Sequence, residues 1–301
     1  MNIANLEEQY ADITTALSRT GILIPLPQAK KPGVIGMDGN EYPVPTQEQV
    51  VELFAHHSEL VSRKVPQGFD HLELTPLAMP LTVLMDRLQE AILKHAAEGT
   101  IFQTRRAASD PLVPVRVNKE KQVWVWEVLR QACDANELVY FPQEYSSDHR
   151  GQTKLEVIHN GHICAFPGWS VGLGESFPIM PAIRQGKTLG GRKQLEIGSS
   201  PNEYLQTLQA QAYQGETGKT LEDFIIHFLI RLETSHEVSH DVKDDNALWC
   251  LGQYFRIPYA QVVPTGRWVR DVGRVRLDMH RTNNKQCAQS WGAATAVRFG
   301  A

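Results

Sequence analysis

From Gln261 to Ala301 the chain contains no Glu, and its basic charge comes as Arg267, Arg270, Arg274, Arg276, Arg281 and Arg298, with Lys285 the sole lysine. Between these lie Trp268, Val269, Asp271, Val272, Asp278, Met279, His280, Asn283, Asn284, Gln286, Cys287 and Gln289. The stretch closes on a small apolar run, Trp291-Gly292-Ala293-Ala294-Thr295-Ala296-Val297-Arg298-Phe299. Short alternating pieces of mixed polarity make poor helix and poor core, but they suit a β scaffold that carries a contact face. This tail restricts the C-terminal part to short strands and loops. Its plain alternative is a solvated sheet face or an electropositive patch.

The order Val263-Pro264, Trp268-x-Arg270, Arg274, Leu277, Asn283, Lys285, Gly292 and Ala296-Val297-Arg298 resembles the end of a C-type-lectin-like domain of the formylglycine-generating-enzyme type. More narrowly, it resembles the variable proteins of diversity-generating retroelements. Upstream tracts fit the same group: Gly36-x-Asp38-Gly39-x-Glu41-Tyr42-Pro43, Gly186-Lys187-Thr188-x-Gly190-Gly191-Arg192-Lys193-Gln194-Leu195-Glu196, and Gly215-Glu216-x-Gly218-x-Thr220. One departure is that the chain has Gly292-Ala293-Ala294 where such domains carry Gly, a hydrophobic residue and Arg.

The resemblance implies an α+β protein. A helical region, residues 1–122, would support a lectin-like domain, residues 123–301, with a hypervariable display surface at about 259–291. It implies a non-enzymatic receptor whose ligand-binding side chains are Val269, Asp271, Val272, Arg276, Asp278, His280, Arg281, Gln286, Cys287 and Gln289. In that family a reverse transcriptase rewrites the 3′ end of the gene at template adenines, and outward side chains tolerate the changes. Arg270 and Arg274 fall at scaffold positions and are expected to pair with buried carboxylates or carbonyls. Trp268, Trp291 and Gly292 are assigned to the frame.

With 301 residues, 42% hydrophobic content and a net charge of −4, the chain is long enough for one or two cores, and its acidic balance argues against a general nucleic-acid binder. The partner that the resemblance implies is a protein or other macromolecule, with no cofactor. The start, Met1 to Glu8, does not read as a secretory signal, and no run approaches the roughly 18 apolar residues of a spanning helix. A cytoplasmic protein is the default expectation, with a phage-borne or otherwise exported one the alternative. Cys133, Cys164, Cys250 and Cys287 are far apart and form neither a zinc ribbon nor a disulfide framework.

Up to about residue 130 the chain reads mostly as helices. Ile3, Leu6, Tyr10, Ile13 and Leu17 recur at helical spacing before Gly21, and Asp38-Gly39 suits a hairpin turn. Thr46-x-x-Gln49 is a capping box for a helix to about Val61, and a third helix runs from Pro80 to Gly99. Val123-Trp124-Val125-Trp126, Leu138 to Phe141 and Ile163 to Phe166 read as short strands or core segments. Ser200-Pro201-x-Glu203 and Thr220-x-x-Asp223 cap two further helices.

Other motifs compete for function. His236-Glu237-Val238-Ser239-His240 matches the pattern of a zinc-dependent hydrolase, with two His one helical turn apart and Glu as base. Its third ligand would be Asp244, Asp245, Asp271 or His280. Against it, Glu233 to Asn246 offers only Val238 and Val242 to bury such a helix. Gly215 to Thr220 mimics a phosphate loop, but position 213 is Tyr and helix precedes it, so an interhelical turn and an N-cap are expected. Gly186 to Lys193 has the glycines and cations of an anion cradle but no strand-to-helix context, and is assigned to the scaffold. The formylglycine-generating family needs a cysteine pair that holds copper, and Cys250 and Cys287 match no such motif. No spacing joins Ser, His and Asp as a nucleophile elbow.

Overall fold

A computed structural model describes residues 3, 5–105, 107–159, 163–175, 180–241, 247–284 and 290–300. The N-terminal part runs α1 (Leu6–Arg19), β1 (Ile24–Pro25), β2 (Pro32–Ile35), β3 (Glu41–Pro43), α2 (Gln47–His56), α3 (Ser58–Lys64), β4 (Phe69–Thr75) and α4 (Leu81–Glu98). The middle adds β5 (Val123–Val125), α5 (Glu127–Asp134), β6 (Val139–Tyr140), α6 (Lys154–His159), β7 (Ser170–Glu175), β8 (Thr188–Leu189) and β9 (Arg192–Lys193). Then come α7 (Pro201–Leu208), β10 (Glu216–Gly218), α8 (Leu221–Ser235) and β11 (Ala247–Trp249). The chain ends with β12 (Gln253–Ile257), β13 (Ala260–Val269), β14 (Arg274–Arg281), β15 (Trp291–Ala293) and β16 (Thr295–Arg298). The fold is α+β. Among the described residues no helix is long and apolar enough to cross a membrane.

Local chemistry sets the helix ends. All three capping boxes form: Thr46 with Gln49, Ser200 with Glu203 and Thr220 with Asp223 each satisfy both reciprocal bonds. Gly99 closes α4 with φ at 70°, the left-handed conformation a glycine adopts without a Cβ penalty. The Asp38-Gly39 turn joins β2 and β3 in register Ile35↔Glu41. The helix expected to run from residue 46 to about Val61 is instead broken at His57 into α2 and α3. Ile163 to Phe166 forms no strand.

Two sheets carry the fold. One has the order β10-β16-β7-β4 and is antiparallel throughout; the other runs β15-β11-β13-β12-β6, with β14 added to β13 and β5 to β14. The chain passes from the second sheet to the first at Ala294, between β15 and β16. Helix α8 packs against β13, β4, α1 and α4, and buries Leu221, Phe224, Ile225, Phe228, Leu229 and Leu232. Phe224 lies so close to Gly266 on β13 that a Cβ there would sit 2.6 Å from the ring. That contact requires glycine.

The boundary expected at 122/123 does not divide this architecture. Strand β4 belongs to the same sheet as β7 and β16, and one hydrophobic cluster joins Leu17 and Leu84 to Leu232 and Trp268. The N-terminal helices complete the core rather than support a separate domain.

Buried ions tie the two halves at the start of α8. Asp223 accepts from Thr220 N–H at 2.7 Å, from Thr75 Oγ1 at 2.7 Å and from the Arg298 guanidinium. Glu222 accepts from Tyr140 Oη at 2.6 Å, Lys154 Nζ at 2.9 Å and Gln253 Nε2 at 2.7 Å. Burial pushes the Asp223 carboxyl up, but Arg298 and the Thr220 N–H outweigh it and hold it below its ordinary value.

Candidate ligand-binding face

The β13–β14 ribbon sorts its side chains by alternation. Register pairs Trp268 with Val275, Arg267 with Arg276, Gly266 with Leu277 and Thr265 with Asp278. Successive side chains of a strand point to opposite faces, so one face takes Trp268, Val275, Leu277 and Met279, all buried in the core. The other takes Thr265, Arg267, Arg274, Arg276, Asp278 and His280. Pairing of β5 with β14 sets Trp124 beside Arg276, and β11 sets Trp249 beside Thr265. Strand β15 pairs Trp291 with Ala247, which puts Trp291 on the same face.

On this face cations lie over indoles. The Arg276 guanidinium is 4.4 Å from the Trp124 ring centroid, and that of Arg267 is 4.6 Å from Trp291. Stacking fixes the guanidinium planes and leaves their N–H edges for acceptors. Asp278 receives Arg276 through Nε at 2.9 Å and Nη2 at 2.7 Å, while Arg267 Nη2 stands at 3.9 Å and His280 Nε2 at 3.7 Å. The His280 ring stands nearly perpendicular to Trp291, 4.6 Å away. The Arg276 side chain is 40% exposed, His280 23% and Asp278 7%, so the arginine and imidazole, not the carboxylate, face solvent.

Charge on the face is unbalanced. Among the described residues Asp278 pairs with Arg276 and stands 3.9 Å from Arg267, while Arg274 Nε is buried without an acceptor. Thr265 Oγ1 and Trp249 Nε1 are also buried without a hydrogen-bond partner among the described residues. A surface of this kind can accept hydrogen-bonding anions.

The structure gathers part of the expected set. Arg276 and His280 lie together on the face, and Val269 joins them at its far end opposite Arg274. Asp278, expected to point outward, is 5% exposed because its carboxylate is enclosed by the cations around it. Asp271 and Val272 occupy the exposed β13–β14 turn, whereas Arg281 ends β14 on the opposite face. At roughly 3.3 Å per residue β14 spans about 23 Å, so turn and far end cannot form one compact patch. Gln286, Cys287 and Gln289 lie outside the described residues. Trp124, Thr265, Arg267 and Trp249 were not among the expected contact residues. The alternation Val123-Trp124-Val125-Trp126 was the one sequence signal for Trp124, and nothing in it names β14 as its neighbour.

The scaffold arginines divide. Arg270 pairs with the buried Asp241 through Nε at 2.8 Å and Nη2 at 2.7 Å, as expected, but Arg274 Nε has no acceptor among the described residues. The tract Gly186 to Lys193 forms the β8–β9 hairpin, with Gly190 and Gly191 both at positive φ. Its Arg192 is buried and pairs with Glu216 at 2.8 Å. Glu216 to Gly218 is strand β10 rather than an interhelical turn, Lys219 pairs with Glu73, and Thr220 is the N-cap.

The zinc-hydrolase alternative lacks its helix. Helix α8 ends at Ser235, and His236 and His240 both take left-handed backbone conformations with φ of 61° and 54°. The two imidazoles therefore do not share a helix face. Glu237, the would-be base, is held by Arg105 at 2.8 Å and Arg231 at 2.7 Å. Burial raises its carboxyl, but the Arg105 N–H and the two guanidiniums win and keep it below its ordinary value. Among the described residues no three His, Cys, Asp or Glu side chains cluster as metal ligands, while Asp244 and Asp245 lie outside them.

Histidine burial sets an acid limit on stability. Burial pushes His71, His227 and His280 below the ordinary 6.5, with Lys219 adding at His227 and the carboxylates of Glu73 and Asp278 opposing at His71 and His280. The folded chain then favours the neutral imidazoles, and the unfolded chain binds protons first as pH falls. Stability is fully present above 6.5 and is lost below it, at no more than about 1.4 kcal/mol per pH unit for each histidine. Urea midpoints should fall between about pH 7.5 and 5.5, and His227→Gln should flatten the slope. An equal midpoint at both values contradicts this account.

Comparison with known proteins gives no relative: no protein-family model, no curated protein and no solved structure matches this chain.

Proposed function

We propose that the chain is a non-enzymatic ligand-binding protein, with a C-type-lectin-like frame of the kind that diversity-generating retroelements vary. Its contact face is the front of the β13–β14 ribbon: Arg276 and His280 at the centre, Val269 and Arg274 at one end, and Trp124 and Arg267 as flanks. The carrying observation is the strict alternation on this ribbon. Residues of mixed chemistry take the front, while Trp268, Val275, Leu277 and Met279 hold the core behind them. Such a strand accepts changes on one side without repacking the other.

The surplus of guanidinium over carboxylate favours a partner that presents discrete acidic groups. An extended polyanion fits less well, because the chain as a whole carries a net charge of −4.

The gene locus tests the retroelement reading. A template repeat matching the 3′ end of the gene is expected beside a reverse-transcriptase gene, with mismatches at template adenines. They should fall in codons for front-face residues such as Val269, Arg276 and His280, and spare Trp268 and Gly292. Mismatches spread over all four bases, or no repeat in a complete genome, would remove the retroelement and leave a binding face of fixed sequence.

A further inference from the structure

One carboxylate oxygen organises the centre of the ribbon front. Asp278 Oδ1 accepts from the Met279 backbone N–H at 3.0 Å, which leaves Oδ2 to the side chains around it. Arg276 takes Oδ2 with Nε at 2.9 Å and Nη2 at 2.7 Å. His280 Nε2 stands 3.7 Å from the same oxygen, too far for a hydrogen bond, and it is buried with no hydrogen-bond partner among the described residues. Trp249 and Trp291 stand edge-on to the imidazole, with ring centroids 6.0 Å and 4.6 Å away, and fix its place.

Among the described residues the charges that face His280 are Asp278 and Arg276 on its own strand and Arg267 on β13; β11 and β15 bring only apolar side chains and indoles. Two guanidiniums against one carboxylate leave a single surplus positive charge while the imidazole is neutral. Burial is the largest influence on His280 and holds it below its ordinary 6.5; Asp278 opposes burial, and the two arginines add to it. A proton taken by the ring doubles the surplus charge and makes both ring nitrogens donors, so Arg276 no longer has Oδ2 to itself. The added charge is then met from outside, and Arg276 is where an anion can reach it: its side chain is 40% exposed, against 10% for Arg267.

We infer that His280 makes this face acid-sensitive: protonation of its imidazole draws Asp278 partly from Arg276 and strengthens the hold of that arginine on an anionic group of the partner. This acid response rests on the ribbon front being the contact face, and it adds a direction: acidic partners bind tightly at mildly acidic pH and weakly at about pH 8. Linkage makes the effect mutual. An anion that prefers the protonated form by about tenfold raises the imidazole titration by about one pH unit. One charge added this close to Arg276 has roughly that value at a protein surface and low ionic strength.

Sulfate is the probe, because its charge is the same at about pH 8 and about pH 5.5 and any difference belongs to the protein. It is titrated into the full chain at low ionic strength and followed by NMR at the Arg276 Cζ and the His280 ring. Binding should be about tenfold tighter at the lower pH, and saturating sulfate should raise the His280 titration by about one unit. His280→Gln should bring the two affinities to within about twofold of each other. Equal affinities in the parent, or an imidazole still neutral at about pH 5.5 in saturating sulfate, overturn the switch and leave an acid-binding face without it. A ratio that persists in His280→Gln also overturns it, since another group then carries the pH dependence. Sulfate that shifts no Arg276 signal at either pH overturns the acid-binding reading of the face, and the switch with it.

Discussion

Arg298→Met is expected to destabilise the protein by about 3–5 kcal/mol at neutral pH, the usual cost of stranding a buried charge. Arg298 lies on β16 and is 8% exposed; its guanidinium meets Asp223, Ser170 and Thr217. Asp223 in turn caps α8 and receives Thr75 from β4. One residue therefore ties the last strand, the central helix and the N-terminal edge strand. In the parent, the depressed Asp223 carboxyl adds stability that is present above its ordinary 3.8 and lost as pH falls through its folded value. Without Arg298 the largest opposing influence is gone and burial meets only the Thr220 N–H, Thr75 and Lys219, so that carboxyl rises and the variant's deficit should shrink as pH falls towards about 5. Adding Asp223→Asn should recover part of the loss. Urea unfolding at the two pH values decides it: a deficit below about 1 kcal/mol, or one that does not vary with pH, denies the network this role.

The legible parts of the fold are the local ones. Capping boxes at Thr46, Ser200 and Thr220, and the glycine stop at Gly99, act within one helical turn, and each forms as its sequence implies. Strand β7 was hidden by composition: Ser-Val-Gly-Leu-Gly-Glu has glycines where strand propensity wants bulk. Those glycines answer to neighbours far along the chain. A Cβ on Gly172 would lie 2.5 Å from Val297 O, and one on Gly174 would lie 2.0 Å from Glu73 Oε1. Strand β4, Phe69 to Thr75, was masked by its setting between helices; its alternation of Leu72 and Leu74 against His71 and Glu73 is plain once β7 is beside it.

The candidate site was legible in its strand and not in its extent. Mixed chemistry from Val269 to His280 marked the ribbon, and Arg270 meets the buried carboxylate its scaffold position called for. Asp278 was misread because alternation predicts a face, not an exposure. It shares the front with Arg276, yet the guanidiniums on either side close over it. Trp124 lay beyond reach for a different reason: β5 pairs with β14 across half the sequence, and no local pattern encodes a parallel partner. Arg298 supplies a buried guanidinium to the closing strand.

Trp268→Ala should cost about 3–5 kcal/mol, whereas Val269→Ala, Arg276→Ala and His280→Ala together should cost no more than about 1–2 kcal/mol. Trp268 has no exposed surface, and it packs beside Phe228 with ring centroids 6.3 Å apart. Its Nε1 has no acceptor among the described residues, so truncation removes packing rather than a hydrogen bond, and the cost is that of a large cavity. The triple variant removes side chains from the front of the same ribbon, where Arg276 spends 40% of its surface on solvent and its ion pair with Asp278 is partly screened. It should keep its Tm near that of the parent and lose binding to the ligand of this face. Asp278→Ala behaves as neither: it leaves Arg267 and Arg276 without their shared carboxylate and should destabilise more than the triple variant. Thermal melts of the three proteins separate the roles. If Trp268→Ala melts with the parent while the triple variant unfolds, the core side and the contact side of the ribbon have been assigned in reverse.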